Sequence, residues 1–185
     1  IRDEMKSRGT AAIIVTHDLI DALAVADKVA VVENGRVVEH GPVRGVLSAP
    51  RSGFAARIAG INLIPGAISG PGVIRTPWGA DISGIGALDP GVAAIALFRP
   101  GAVAVHLDPP HASPRNVIAV TIAELDMHGI GVRVRGADQP DGGTGLAADI
   151  TAASAADLDL EPGKTVYFVV KAQEVELHPA LSAAT

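Results

Sequence analysis

Residues 11–41 read AAIIVTHDLIDALAVADKVAVVENGRVVEHG, and their pattern sets the expected fold of the first part of the chain. Ala11 to Val15 is a short apolar, β-branched run without alternation, which predicts a strand buried on both faces of a parallel sheet. Thr16-His17-Asp18 ends it. Asp18 is a good N-cap with Asp21 three positions on, and Leu19, Ile20, Leu23, Ala24 and Ala26 supply one apolar helical face. His17 is therefore expected at the carboxyl end of a strand, where open α/β folds gather ligand chemistry. Val29 to Val32 predicts a second strand, Asn34-Gly35 a tight hairpin turn, and Val37-Val38 the returning strand.

The segment IIVTHDLIDALAVADKVAVVENGRVVEHGP resembles the end of the ATP-binding subunit of ABC transporters. In that family a histidine in Thr-His-Asp touches the γ-phosphate of ATP. The resemblance implies that His17 senses or positions the terminal phosphate, with ATP and Mg2+ as cofactors of the parent subunit. Other parts of such a machine do not occur in this sequence: it has no G-x-x-x-x-G-K-[ST] loop, no apolar strand ending in Asp-Glu and no Ser-Gly-Gly-Gln segment. Alone, the chain is expected neither to bind ATP tightly nor to hydrolyse it. Met5, Lys6, Arg8 and Gly9 read as the end of a helix, so the chain is expected to begin inside a longer polypeptide, without a signal peptide.

Composition narrows the partners. The 185 residues are 48% hydrophobic, carry a net charge of -5 and include no cysteine, so disulfides are excluded while a real core is affordable. Apolar runs break too soon for a spanning helix, which needs about 20 residues. No stripe of Lys and Arg is present to replace counterions, which argues against a nucleic-acid partner. His40, His106, His111, His128 and His178 show no metal-ligand spacing.

After the hairpin, Pro42 opens a helix through Val46 and Leu47, and a second helix runs from Arg51 to Ala59, ended by Gly60. From Asn62 the texture changes to short β-like runs at 63–68, 73–76, 92–98 and 102–106, with Gly- and Pro-rich turns between them. This spacing predicts a small barrel of OB type. Arg99-Pro100 resembles an Arg-Pro that importer ATPases carry in this region, and Asp108-Pro109-Pro110-His111 is read as a stiff connection.

The second informative stretch begins Ser113-Pro114-Arg115-Asn116 and continues through strands to Leu125 and over 130–135. A glycine-rich loop at 138–145, a strand to Ile150, a helix from Ala152, an Glu161-Pro162-Gly163 turn and a last strand ending at Lys171 follow. This order resembles the molybdate-binding Mop module. The resemblance extends to the carboxyl-terminal half of the ATP-binding subunits of ABC-type molybdate importers, most like actinobacterial ones. It implies an oxyanion site made by Ser113, Arg115, Asn116, Thr151 and Lys171, with residues converging at interfaces between copies. A tetrahedral dianion needs fixed hydroxyl, N–H and cationic donors to offset its lost hydration, and these residue types supply them. Pro114 and Gln173 depart from the module's pattern.

The expected architecture is an α/β remnant of an ABC ATPase domain (1–60), a first accessory β segment (61–111) and an oxyanion-binding unit (112–180) of all-β, OB-like TOBE/Mop type. The implied partners are a second ATPase subunit, membrane permease subunits and molybdate, at the cytoplasmic face of the membrane. Two alternatives stay open: a stand-alone, non-catalytic oxyanion-binding module, and an importer ATPase serving sulfate, iron or a sugar.

Overall fold

A computed structural model describes residues 7, 9–16, 19–33, 35–110 and 115–181. The chain divides into two compact units, residues 1–59 and 60–185.

In the first unit, helix α1 (Leu19–Val25) is followed by the antiparallel hairpin β1 (Lys28–Glu33) and β2 (Arg36–Pro42) and by the helices α2 (Val43–Ser48) and α3 (Gly53–Ala59). Gly35, at φ +76°, takes the left-handed conformation that the two-residue turn demands. Val31, Val46 and Ala55 form a small core, with Val29, Val38 and Phe54 packed on it. Two carboxylates from the hairpin hold the start of α3. Glu39 accepts the N–H groups of Arg51 and Ser52 at 3.1 Å, and Glu33 accepts that of Phe54 at 2.8 Å. Ser52 Oγ accepts from Ala55 N–H at 3.2 Å, so the N–H groups of Ser52, Phe54 and Ala55, which a helix start leaves open, are satisfied.

The strand expected at Ala11–Val15 is not formed. These residues take no regular structure, and Ile13 and Val15 are each 96% exposed. A strand exists by exchanging N–H and C=O groups with neighbours, and among the described residues the only sheet of this unit is the β1–β2 pair. The apolar run thus has the composition of a buried strand without the partners. His17 and Asp18 lie outside the described residues.

The second unit is all-β apart from short helical turns. It contains β3 (Asn62–Gly70), β4 (Val73–Arg75), β5 (Asp81–Ser83), β6 (Ala93–Phe98) and β7 (Ala104–His106), then β8 (Asn116–His128), β9 (Gly131–Gly136), β10 (Ala147–Thr151), helix α4 (Ala152–Asp157), β11 (Thr165–Val170) and β12 (Glu176–Pro179). Two five-stranded antiparallel sheets result, in the orders β5-β4-β3-β6-β12 and β10-β9-β8-β11-β7. The segments 61–111 and 112–180 therefore do not make one sheet each. The last strand of each crosses over: β7 pairs with β11, and β12 pairs with β6.

This exchange reveals an internal repeat. Strands β3 to β6, a 3-10 turn (Pro100–Ala102) and β7 repeat as β8 to β11, a 3-10 turn (Ala172–Glu174) and β12. Each repeat opens on a buried asparagine that clips it to the other. Asn62 Nδ2 donates to Ala147 O at 2.8 Å and its Oδ1 accepts from Ala147 N–H at 2.7 Å. Asn116 does the same with Ser83, at 2.8 and 2.7 Å. After β5, Ile85 N–H donates to Val175 O and Ile85 O accepts from Leu177 N–H, which joins the first sheet's two edges. Gly84 and Gly86 permit that closure, since a Cβ on either would stand 2.7–2.8 Å from atoms of Val175 or Leu177. The core is continuous through both sheets, from Ile64, Ile74 and Phe98 to Val134, Val166 and Phe168.

On the β8–β9–β10 face, Arg133 grips Asp149 with Nε–Oδ1 at 2.6 Å and Nη2–Oδ2 at 2.7 Å, and its Nη2 also donates to Nε2 of His128 at 3.1 Å. The Arg133 hydrogen bonds hold the Asp149 carboxyl below its ordinary range, against the opposing effect of partial burial. A carboxyl depressed in the folded state contributes stability that is complete above its unfolded pKa and is lost as pH falls through the folded value. Denaturant midpoints measured from pH 7 to 3 should therefore fall below about pH 4, and Asp149→Asn should flatten that limb at a cost of about 1 kcal/mol at neutral pH. An unchanged acid limb in that variant would show that the pair contributes nothing.

Candidate oxyanion cleft

Of the residues expected to hold an oxyanion, the structure brings two together. Arg115, just before β8, and Lys171, just after β11, line one cleft of about 950 Å3. Strand β11 is the link between them: its antiparallel pairing sets Val170 opposite Asn116, so the residues following and preceding those positions meet at the same end of the sheet. Arg99, Gln173, Glu174 and Val169 line the same cleft. The three cationic side chains are exposed, and water can reach an anion held there.

Thr151 and Asn116 serve the fold instead. Thr151 is the N-cap of α4: its Oγ1 accepts from Ser154 N–H at 3.0 Å and pairs with Ser154 Oγ at 2.8 Å, and it does not line the cleft. Asn116 is fully buried, with both ends of its amide committed to Ser83. An amide so engaged has no face to offer an anion. Ser113, Pro114 and His111 lie outside the described residues, as does His17.

Arg99 is the residue that sequence reasoning left out of the site. It precedes the first 3-10 turn with φ −80° and ψ 142°, as Lys171 precedes the second with φ −71° and ψ 142°. The signal was available in two parallel segments, FRPGAVAVH at 98–106 and VKAQEVELH at 170–178, in which Arg99 and Lys171 share a position, as do Val103 and Val175 and the closing histidines. Among the described residues no three metal-ligating side chains cluster, and no helix is long and apolar enough to cross a membrane.

The TOBE domain family matches residues 112–177. The molybdenum import ATP-binding protein ModC of Mycobacterium tuberculosis is 51% identical over 182 residues, 97% of this chain and 49% of the relative. The similarity to that relative runs over almost the whole of this chain. A second relative, the molybdate/tungstate import ATP-binding protein WtpC of Pyrococcus horikoshii, is 30% identical over 94% of this chain and 49% of its own length. The chain thus spans about half the length of the curated relatives it matches. By structure, the second unit is similar to the cytoplasmic molybdate-binding protein ModG, solved with molybdate bound, at a TM-score of 0.57 and 23% identity; the match covers 65% of this chain and 96% of that one. That likeness carries the fold, and with it the OB-like character of the β unit.

Proposed function

We propose that the chain is the carboxyl-terminal part of the ATP-binding subunit of a molybdate importer, with residues 60–185 acting as an oxyanion-sensing regulatory domain. Residues 1–59 then belong to the subunit's α/β ATPase domain, and the exposed run Ile13 to Val15 takes its place as a sheet strand when the rest of that domain is present. The complete subunit works as a dimer on two membrane permease subunits, at the cytoplasmic face. His17 is the residue proposed to contact the terminal phosphate. A complete subunit carrying His17→Ala that hydrolysed ATP at the parent rate would remove that assignment.

The observation that supports the sensing role is the convergence of Arg115 and Lys171 on one cleft. Molybdate is a dianion whose four oxygens accept hydrogen bonds but donate none. Guanidinium and ammonium groups offer donors and charge together, and charge-assisted bonds are about twice as strong as neutral ones. Ser113 is proposed to add a hydroxyl donor. Nucleotide chemistry is different: the sequence has no G-x-x-x-x-G-K-[ST] loop, and among the described residues no group of three His, Asp or Glu side chains could hold a metal ion.

Calorimetric titration of the chain with molybdate at about 0.15 M salt tests the reading, at an ionic strength where long-range surface attraction is screened. Binding is expected, and Arg115→Ala with Lys171→Ala should weaken it by roughly 100-fold, two charge-assisted contacts of about 1.4 kcal/mol each. Equal affinity in the double variant would move the site elsewhere. No heat from the parent chain would end the sensing role.

A further inference from the structure

We infer that the free edge of β8 beyond Ile122 is a docking strand for an extended segment of another polypeptide, one in which apolar residues alternate with Lys or Arg.

Strand β8 changes partners part-way along. Asn116 to Thr121 pair with β11, and Ile122 makes the last bonds on that side, donating to Lys164 O and accepting from Gly163 N–H. Beyond it, Glu124 to His128 pair with β9 alone among the described residues, after a register shift between Ile122 and Glu124. The hairpin closes through Gly129 and Ile130, with Gly129 at φ +60° in the two-residue turn. In such a turn the closing pair, His128 and Gly131, exchanges both its hydrogen bonds, and pairing alternates from there. Glu124, Asp126 and His128 therefore spend their backbone groups on β9. Leu125 and Met127 turn theirs outward, N–H donors and C=O acceptors spaced as an added strand needs them.

The side chains on that edge sort by face. Leu125 stands in a row with Val134 and Ala148, both fully buried, so its face belongs to the core. The next row outward, Met127, Val132 and Ile150, carries that face on into water: Met127 is 75% exposed, and Ile130 in the turn is fully exposed. A partner's apolar side chains would cover such a row. The other face carries Glu124 and Asp126, in register with Arg135 and Arg133.

Charge selects the partner. Residues 122–164 hold eight carboxylates and three Lys or Arg side chains, whereas the rest of the β unit, residues 60–121 and 165–185, holds five and four. The acidic excess is thus concentrated in the part of the chain that carries the free edge. Asp157, Asp159 and Glu161 lead into Gly163, whose bond to Ile122 marks where that edge begins. Cationic residues of an added strand would meet Glu124 and Asp126, while an anionic lipid surface or a nucleic acid would be repelled. A second copy fits poorly. Antiparallel pairing of this edge with itself about Leu125 sets Glu124 against Asp126, and about Asp126 sets that carboxylate against its own copy, like charges directly opposite. The carboxylates that admit a cationic strand therefore turn away an identical one.

Blocked, fluorescently labelled peptides of about seven residues, the length of an ordinary strand, test the docking on the complete chain. One alternates Lys with Val, one alternates Glu with Val, and the third is the Lys/Val peptide N-methylated at every residue, which removes its strand-forming donors. Fluorescence anisotropy at about 0.05 M salt should show saturable binding of one Lys/Val peptide per chain, at least about tenfold tighter than either of the others. Amides of Leu125 and Met127 should gain protection from hydrogen exchange in that complex. Met127→Pro, which removes an outward N–H and no bond to β9, should weaken binding about tenfold, and Glu124→Lys should weaken it severalfold. Equal binding of the N-methylated peptide, or full affinity in Met127→Pro, would reveal a contact of charge alone and overturn the inference; the peptide comparison decides this even where the proline variant unfolds. A chain that sediments as a dimer, and as a monomer after Met127→Pro, overturns it in favour of a second copy. No saturable binding of the Lys/Val peptide ends it.

Discussion

A chain ending at Lys171 is expected to lose about 5 kcal/mol, and the damage should appear first in β3 and β6, far upstream of the cut. The deleted residues include Val175 and Leu177, both buried, each contributing about 1.5–3 kcal/mol by burial. They also include β12, whose Glu176 to Pro179 pair with Leu97 to Ala94. Against a total stability of about 5–15 kcal/mol for a domain, that loss is close to disabling. Hydrogen exchange locates it: amides of residues 93–98 should lose protection before those of 116–121, which keep their β11 partner. Leu177→Ala should reproduce the pattern at about 3 kcal/mol. If loss of protection were confined to residues 116–170, the exchanged strand would not be the element that holds the first sheet.

Glu39→Ala should unfold the first unit. Glu39 is only 6% exposed, yet it carries a carboxylate, which accepts the N–H groups of Arg51 and Ser52. Alanine leaves those donors without an acceptor at a cost of roughly 1–3 kcal/mol each, about 3 kcal/mol in all. The apolar core that must absorb this loss is small, its cluster among the described residues being Val31, Val46 and Ala55. For a unit of this size the thermal midpoint should drop by about 15 °C. Glu39→Gln keeps one acceptor oxygen and should recover about half of the deficit. A midpoint within a degree of the parent in Glu39→Ala would mean that water replaces the carboxylate without loss.

Local patterns carried most of the legible fold. The Asn34-Gly35 hairpin, the helices after Pro42 and Arg51, and strands β8 to β11 with α4 between them follow from turn residues and hydrophobic periods within a dozen positions. Distant pairings were not legible. Strands β5 and β12 are three and four residues long, too short for a period to show; β12 pairs with the remote β6, and Ile85 just after β5 bridges to β12. The run Ala11 to Val15 misleads in the other direction, because composition records what a strand is built for and not whether its neighbours are there. At the cleft, Arg115 and Lys171 were visible as residue types, while the β8–β11 pairing that brings both to the lining of one cleft was not. Asn116 and Thr151 looked like donors for a ligand because asparagine and threonine are equally suited to clip backbone and cap helices, and residue type alone does not choose between those uses.

The crossed strands also order events during synthesis. A ribosome delivers β3 to β6 long before β12 emerges, so the first sheet must wait with an open edge and an uncovered apolar flank until β12 has been made. The nascent protein is thus exposed to aggregation through that interval, and a stalled product lacking β12 would be handed to proteases as a misfolded whole.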